Sequence, residues 1–187
     1  MKLANPAPLG SFGFALTTWL LGMIQANLLP AVSTPVVVAM AFAYGGTAQF
    51  AAGLMAMAKG NSFNFIANCS FGAFWWSFAL LTVFFSAGVP QVAIGWYLIV
   101  WGAFSTAMLI ASLPIDRATF LLFLVLAAAL FVLGVAHLQN SPLLTVWGGY
   151  GNLIAALLAF YQAAAEIINE MHGRVILPLG TRKIPSR

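Results

Sequence analysis

Side chains able to do acid–base, nucleophilic or metal chemistry are scarce and scattered in this sequence. Asp116, Glu166 and Glu170 are its carboxylates, His137 and His172 its imidazoles, and Cys69 its one thiol. Neither histidine has a second histidine, a cysteine or a carboxylate at ligand spacing, and a lone cysteine builds no disulfide framework. No metal or other cofactor is expected. The central parts of the long apolar runs hold no Asp, Glu, His, Lys or Arg at all. That argues against an enzyme, and equally against a pump whose path is marked by carboxylate or histidine relays.

What the apolar runs do hold is uncharged and polar. Thr17, Thr18 and Gln25 lie in the first, Tyr44, Thr47 and Gln49 in the second, and Asn64, Asn68, Ser70 and Ser77 in the third. Ser105 and Thr106 follow in the fourth, and Tyr150, Asn152, Tyr161 and Gln162 in the sixth. For a single Ser or Thr the default role is glue between helices, about 0.6 kcal/mol each. Asn64 and Asn68 ask for more, because side chains four apart stack on one helix face and each amide has four hydrogen-bonding sites to satisfy. A passage lined by such groups suits a small polar solute.

The elements that must position these residues are membrane helices. The 187-residue chain is 63% hydrophobic and 5% charged, with a mean hydropathy of +1.00, too little polar surface to cover a water-soluble globule. Runs of membrane-crossing length, about 20 residues, recur six times, at 8–29, 35–57, 64–86, 92–113, 118–138 and 143–168. Crossing segments must satisfy their own backbone groups in hydrocarbon, so the expected fold class is an all-α integral membrane protein, one six-transmembrane-helix bundle in a single domain. Short connections such as "AKGNSFN" and "SLPIDRA" predict that sequential helices are antiparallel neighbours. Ala39, Gly46 and Gly53 recur every seven residues and predict a close-packing face, as does "VWGGYGN" at the start of the last run, whether within the chain or between subunits. The fifth run is nearly free of polar groups between Thr119 and His137, which predicts a lipid-facing helix or an apolar constriction.

Charge gives the orientation. All ten charged residues, at Lys2, Lys59, Asp116, Arg117 and from Glu166 to Arg187, fall on one side of a six-span threading, while "LLPAVSTP", "AGVPQ" and "LQNSP" carry none. The positive-inside rule makes the charged side cytoplasmic, with both termini there. A formal charge of +4 then reflects orientation and attraction to anionic lipid. No basic cluster interleaves with aromatics, so no nucleic-acid partner is expected. Glu166, Glu170 and Arg174, four apart, permit an ion-pair ladder at the end of the last helix.

The stretch "NPAPLG" at 5–10 reads as a helix start, with prolines in the first turn and Asn5 able to cap free amides. The remaining N–H groups, at the positive end of the helix dipole, predict a weak anion site without a charged side chain.

Together with "YGGTAQFAAGL" at 44–54, "KGNSF" at 59–63, "SFGAFWW" at 70–76, "WGAF" at 101–104 and "NEMHGRVILPLG" at 169–180, this stretch resembles the acetate uptake transporter family, which includes bacterial acetate and succinate transporters and relatives of yeast acetate and ammonia export proteins. The resemblance covers essentially the whole chain. It implies six helices in a urea-channel-like arrangement, a hexamer with one path per protomer, and transfer of acetate, succinate or other short carboxylates across the cytoplasmic membrane, as a channel or a proton-linked transporter. It also implies a mid-path constriction of Phe, Tyr and Leu, here Phe14, Phe71 and Leu126, with Leu126 placed by counting from Arg117. Asn5, Pro6 and Pro8 would shape one entrance, and Thr17, Gln49, Asn68, Ser70 and Tyr161 would offer hydrogen bonds along the path. Two positions depart from the family pattern: Ser11 replaces Leu, and Phe71 lacks the tyrosine hydroxyl. A channel for neutral solutes such as urea or ammonia is the alternative reading of the same uncharged spans.

Overall fold

The structure, a computed structural model, describes residues 4–181; the charges at Lys2, Arg182, Lys183 and Arg187 lie outside them. The described residues form six helices long and apolar enough to cross a membrane: α1 (Ala7–Gln25), α2 (Ala31–Ala58), α3 (Ser62–Phe85), α4 (Gln91–Ser112), α5 (Arg117–Gln139) and α6 (Pro142–His172). The protein is an all-α, multi-pass membrane protein.

Local chemistry sets where these helices start and stop. Asn61 accepts the Asn64 N–H at 3.0 Å, Asp116 accepts the Thr119 N–H at 2.7 Å and its hydroxyl at 3.0 Å, and Ser141 accepts the Leu144 N–H at 3.4 Å, each satisfying an amide that the first turn leaves free. The first helix ends four residues before the apolar run does. Asn27 turns left-handed at φ 58, and the N–H groups of Leu28 and Leu29 fold back onto the Met23 carbonyl at 2.8 and 3.1 Å. The last helix runs four residues beyond its expected end, to His172, until Gly173 at φ 64 stops it.

Backbone packing places the helices in the order α3–α2–α1–α6–α5–α4. Every sequential pair is adjacent except α3 and α4, a correction to the expectation from short loops. Bulky side chains keep those two backbones apart: Phe74 stacks on Tyr97 with centroids 5.8 Å apart, and Phe71 meets Trp101 at 5.8 Å and Phe104 at 5.5 Å. The ring of helices therefore closes through aromatic rings.

A second correction concerns the seven-residue face of α2. Its middle, Ala41–Ala48, winds in wider π-type turns, and the Thr47 hydroxyl donates to the carbonyl of Phe42, five residues back, at 2.7 Å. The extra residue per turn rotates the remainder of the helix, so Gly46 and Gly53 are buried against α3 while Ala39 is exposed. Next to them, a Cβ on Gly45 would lie 2.8 Å from the Thr17 hydroxyl and 2.9 Å from the Trp75 ring; only glycine permits this approach. In α6, Gly148 receives Leu133 of α5 and Gly149 receives the backbone at Gln25 and Ala26, so this small-residue face packs within the chain.

The segment after α6 is strapped back across the bundle. Asn169 holds the backbone of Ile176 and Leu177, Tyr161 donates to the Pro178 carbonyl at 2.8 Å, and the N–H groups of Arg117 and Ala118 bond Gly180 and Leu179. Apolar side chains such as Phe84, Val100, Trp96 and Trp147 point outward, as lipid contact requires.

Candidate functional site

The bundle encloses a series of cavities that share walls. One, of about 270 Å³, lies toward the uncharged end among Phe14, Thr18, Phe74, Trp75, Leu130 and Asn152. A smaller one, of about 40 Å³, lies toward the charged end among Ser11, Gln49, Asn64, Asn68, Thr119 and Gln162. Phe14, Phe71 and Leu126 border both. These side chains, 6%, 4% and 4% exposed, form an apolar septum between the two chambers. Beyond the inner chamber a mouth of about 180 Å³ is lined by Asn5, Pro6, Lys59, Asn61 and Asn64. Beyond the outer chamber a vestibule of about 350 Å³ shares Gln25 and His137 with it.

The septum is held from all sides. The ring of Phe71 has five aromatic neighbours, Phe14, Phe74, Trp101, Phe104 and Phe123, at centroid distances from 5.5 to 6.4 Å. From α5, Leu122, Phe123, Leu126, Leu130 and Leu133 present an apolar inner wall.

The chambers carry a distinct electrostatic signature. Among the described residues, four buried side-chain polar atoms have no partner: Thr18 Oγ1, Trp75 Nε1, Gln49 Oε1 and Gln162 Oε1. All four residues line a chamber, Thr18 and Trp75 the outer one and Gln49 and Gln162 the inner one. Leaving a buried polar atom unpaired costs about 1–3 kcal/mol, and here all four such atoms belong to residues of the chamber walls. The outer pair is an O–H and an N–H, both able to donate; the inner pair is two amide oxygens, which only accept.

The remaining sequence-derived positions divide. Asn68 lies in the inner chamber and donates to the Asn64 carbonyl at 3.0 Å. Ser11 is in that chamber too, so the replacement of Leu adds a hydroxyl to the wall. Thr17 does not reach either chamber: it is fully buried, donates to the Gly13 carbonyl at 2.8 Å and packs at Gly45. Its neighbour Thr18, turned about 100° around the helix, is the one that does. Ser70 lines none of the cavities, and Tyr161, 37% exposed, is committed to the C-terminal strap.

At the mouth, Asn5 accepts the Ala7 N–H at 3.2 Å and donates to Glu166 at 3.1 Å, and Gln162 donates to the same carboxylate at 3.2 Å. The expected anion site on free amides is not formed. Pro6 and Pro8 have no N–H, that of Ala7 goes to Asn5 and that of Gly10 to the Pro6 carbonyl, which leaves only the amide of Leu9 in this turn. Pro8 is buried and Pro6 lines the mouth. The carboxylate ladder is likewise replaced, since Glu166 is engaged by Asn5 and Gln162 and Gly173 breaks the helical register before Arg174.

Thr18, Trp75 and Gln162 are chamber-lining residues that the sequence reading did not select. An indole among apolar residues reads as core, and Gln162 is one of several polar residues of α6. Its spacing of four before Glu166 is the signal that places it on the mouth-facing side.

A largely apolar outer cavity and a smaller, more polar inner one, meeting at Phe14, Phe71 and Leu126 inside a six-helix bundle, fit a membrane passage for small solutes. The chain belongs to the GPR1/FUN34/yaaH family, whose model matches residues 1–181. It is 36% identical over 198 residues to acetate permease A of Emericella nidulans, covering 95% of this chain and 66% of that protein. It is 33% identical over 183 residues to the succinate-acetate/proton symporter SatP of Escherichia coli K12, covering 96% of each. Among solved structures it superposes on the bacterial acetate channel SatP with a TM-score of 0.91 at 33% identity, covering 96% of this chain and 100% of that one. Relatives of these kinds are transporters and channels.

Proposed function

We propose that the protein carries acetate, and succinate as a larger member of the same class, across the cytoplasmic membrane through the interior of each protomer. The observation that carries this reading is that the four residues with an unpartnered buried polar atom all line the two chambers flanking Phe14, Phe71 and Leu126. The named activities of the relatives supply the substrate class. The solute enters from the uncharged side, is met by donors at Thr18 and Trp75, crosses the septum, and is received by Gln49, Asn68 and Gln162. Both termini lie in the cytoplasm by the charge distribution. The protein assembles as a homo-oligomer, a hexamer by family resemblance, and the bilayer and the carboxylate are its partners.

The absence of Lys, Arg, Asp and Glu from the walls of both chambers supports a second reading, a channel for neutral solutes such as urea or ammonia. Competition in proteoliposomes separates the two. In a carboxylate pathway acetate uptake saturates and is reduced by unlabelled acetate and succinate; urea uptake insensitive to acetate would establish the neutral-solute channel instead.

A further inference from the structure

The outer mouth holds an ionisable side chain that the passage itself does not require. His137, half-buried near the end of α5, lines both the outer chamber and the vestibule. Its Nδ1 lies 2.7 Å from Oε1 of Gln91 on α4. An amide oxygen only accepts, so this contact puts a proton on Nδ1 and leaves Nε2 as the exchanging atom. Beside it, Gln25 is fixed by the Asn152 amide at 2.7 Å, leaving the Gln25 amino group to donate.

The surroundings are otherwise uncharged. Gln91 and Ile94 face the site from α4, Gln25 and Asn27 from the end of α1, and Ser141 and Thr145 from the start of α6. No Lys, Arg, Asp or Glu lines either cavity, and the other titratable group there, Tyr97, has its hydroxyl bonded to Ser77 at 2.6 Å. A protonated His137 has no internal counter-ion, so an arriving carboxylate is its natural partner.

We infer that His137, oriented by Gln91, is a proton-exchange site for carboxylates at the outer mouth, converting the anion to the neutral acid before it meets the septum. This deepens the proposed function and rests on it. In the step, the Nε2–H bond of the imidazolium breaks and an O–H bond forms on the carboxylate, leaving neutral imidazole and a carboxylic acid. A hydronium ion of the outer solution then reprotonates Nε2. One proton enters with each monocarboxylate, and the acid ionises again in the water beyond the inner mouth. The apolar septum is then crossed by a neutral species, which avoids the high penalty of moving a bare charge through it.

The test is labelled acetate uptake into proteoliposomes at clamped voltage, with rates in empty liposomes subtracted, as external pH is varied from about 5.5 to about 7.5, on either side of the ordinary imidazole value of about 6.5. The wild-type rate should fall as pH rises across this range, with the inflection of a single titrating group. His137→Gln should lose the inflection, its rate becoming flat or following the acetic acid concentration throughout. Gln91→Glu should move the inflection to higher pH, because a carboxylate beside the ring favours its charged form. An inflection retained in His137→Gln, or unmoved in Gln91→Glu, overturns the inference and leaves the transport reading standing. A wild-type protein that moves no acetate above empty liposomes overturns the transport reading itself, and this inference with it.

Discussion

Phe14 and Phe71 meet edge to face with centroids 5.6 Å apart and planes inclined by 67°, and with Leu126 they are the side chains shared by the chambers on either side. One ring comes from α1 and the other from α3, so the septum is built across the bundle. Leu126 is its aliphatic member, from α5. Replacing Leu126 by Ala should merge the two chambers, raise acetate flux several-fold and admit longer carboxylates, at a stability loss of about 2–5 kcal/mol. Uptake of acetate and of longer homologues in proteoliposomes, together with thermal unfolding in detergent, checks both parts.

Phe71→Tyr restores the hydroxyl that the family pattern would place at the septum. A new hydrogen bond of about 0.5–1.5 kcal/mol to a passing carboxylate should lower the KM for acetate by about two- to tenfold, while fold and oligomer are unchanged. Initial-rate kinetics decide this; an unaltered KM would show that the hydroxyl does not reach the solute.

Gln49→Leu separates a transport role from a structural one. Its buried Oε1 has no partner in the structure, so a near-isosteric apolar side chain should leave stability unchanged or raise it by about 1–3 kcal/mol, while acetate flux falls. A destabilised protein with normal flux would contradict this.

Thr17 and Thr18 should respond in opposite ways to replacement by Val. Thr18 lines the outer chamber and its hydroxyl has no partner, and its loss should reduce flux. Thr17 is bonded within its own helix, and its loss should affect stability with little change in transport. Parallel uptake assays and melting curves of the two variants make the comparison.

Gly10→Ala should disrupt the inner chamber, because a Cβ there runs into the Asn68 amide. Combining it with Asn68→Ala should recover assembly, since the added methyl then has room, but not transport, since the chamber has lost an amide. Such a non-additive cycle is the signature of direct contact; simple additivity would place the two residues in separate roles.

Much of this architecture is legible in the sequence because the bilayer enforces it. Six apolar runs and one charged side leave one plausible threading, and α5, with hardly a polar group between its ends, does supply the apolar inner wall. The side chains facing the chambers are harder to read. α1 is packed by α2 on one side and α6 on another, so nothing in its composition says that Thr18, and not Thr17, faces the interior. The wide turns at Ala41–Ala48 break the count that puts Ala39 in line with Gly46. Tyr161 is a reasonable hydrogen-bond donor for the path until the C-terminal strap, whose course no local pattern gives, claims its hydroxyl. Trp75 shows the opposite case, an indole that reads as core yet lines the outer chamber with its N–H unpartnered.

The most direct test of the central claim, that acetate, as anion or as acetic acid, passes between Phe14, Phe71 and Leu126 inside the protomer, is labelled acetate uptake by wild type and by Leu126→Trp, with empty liposomes as the control. Wild type should exceed the control and the tryptophan variant, with its oligomer confirmed intact by size-exclusion chromatography, should fall to the control rate. A variant that transports as fast as wild type would show that the solute takes another route.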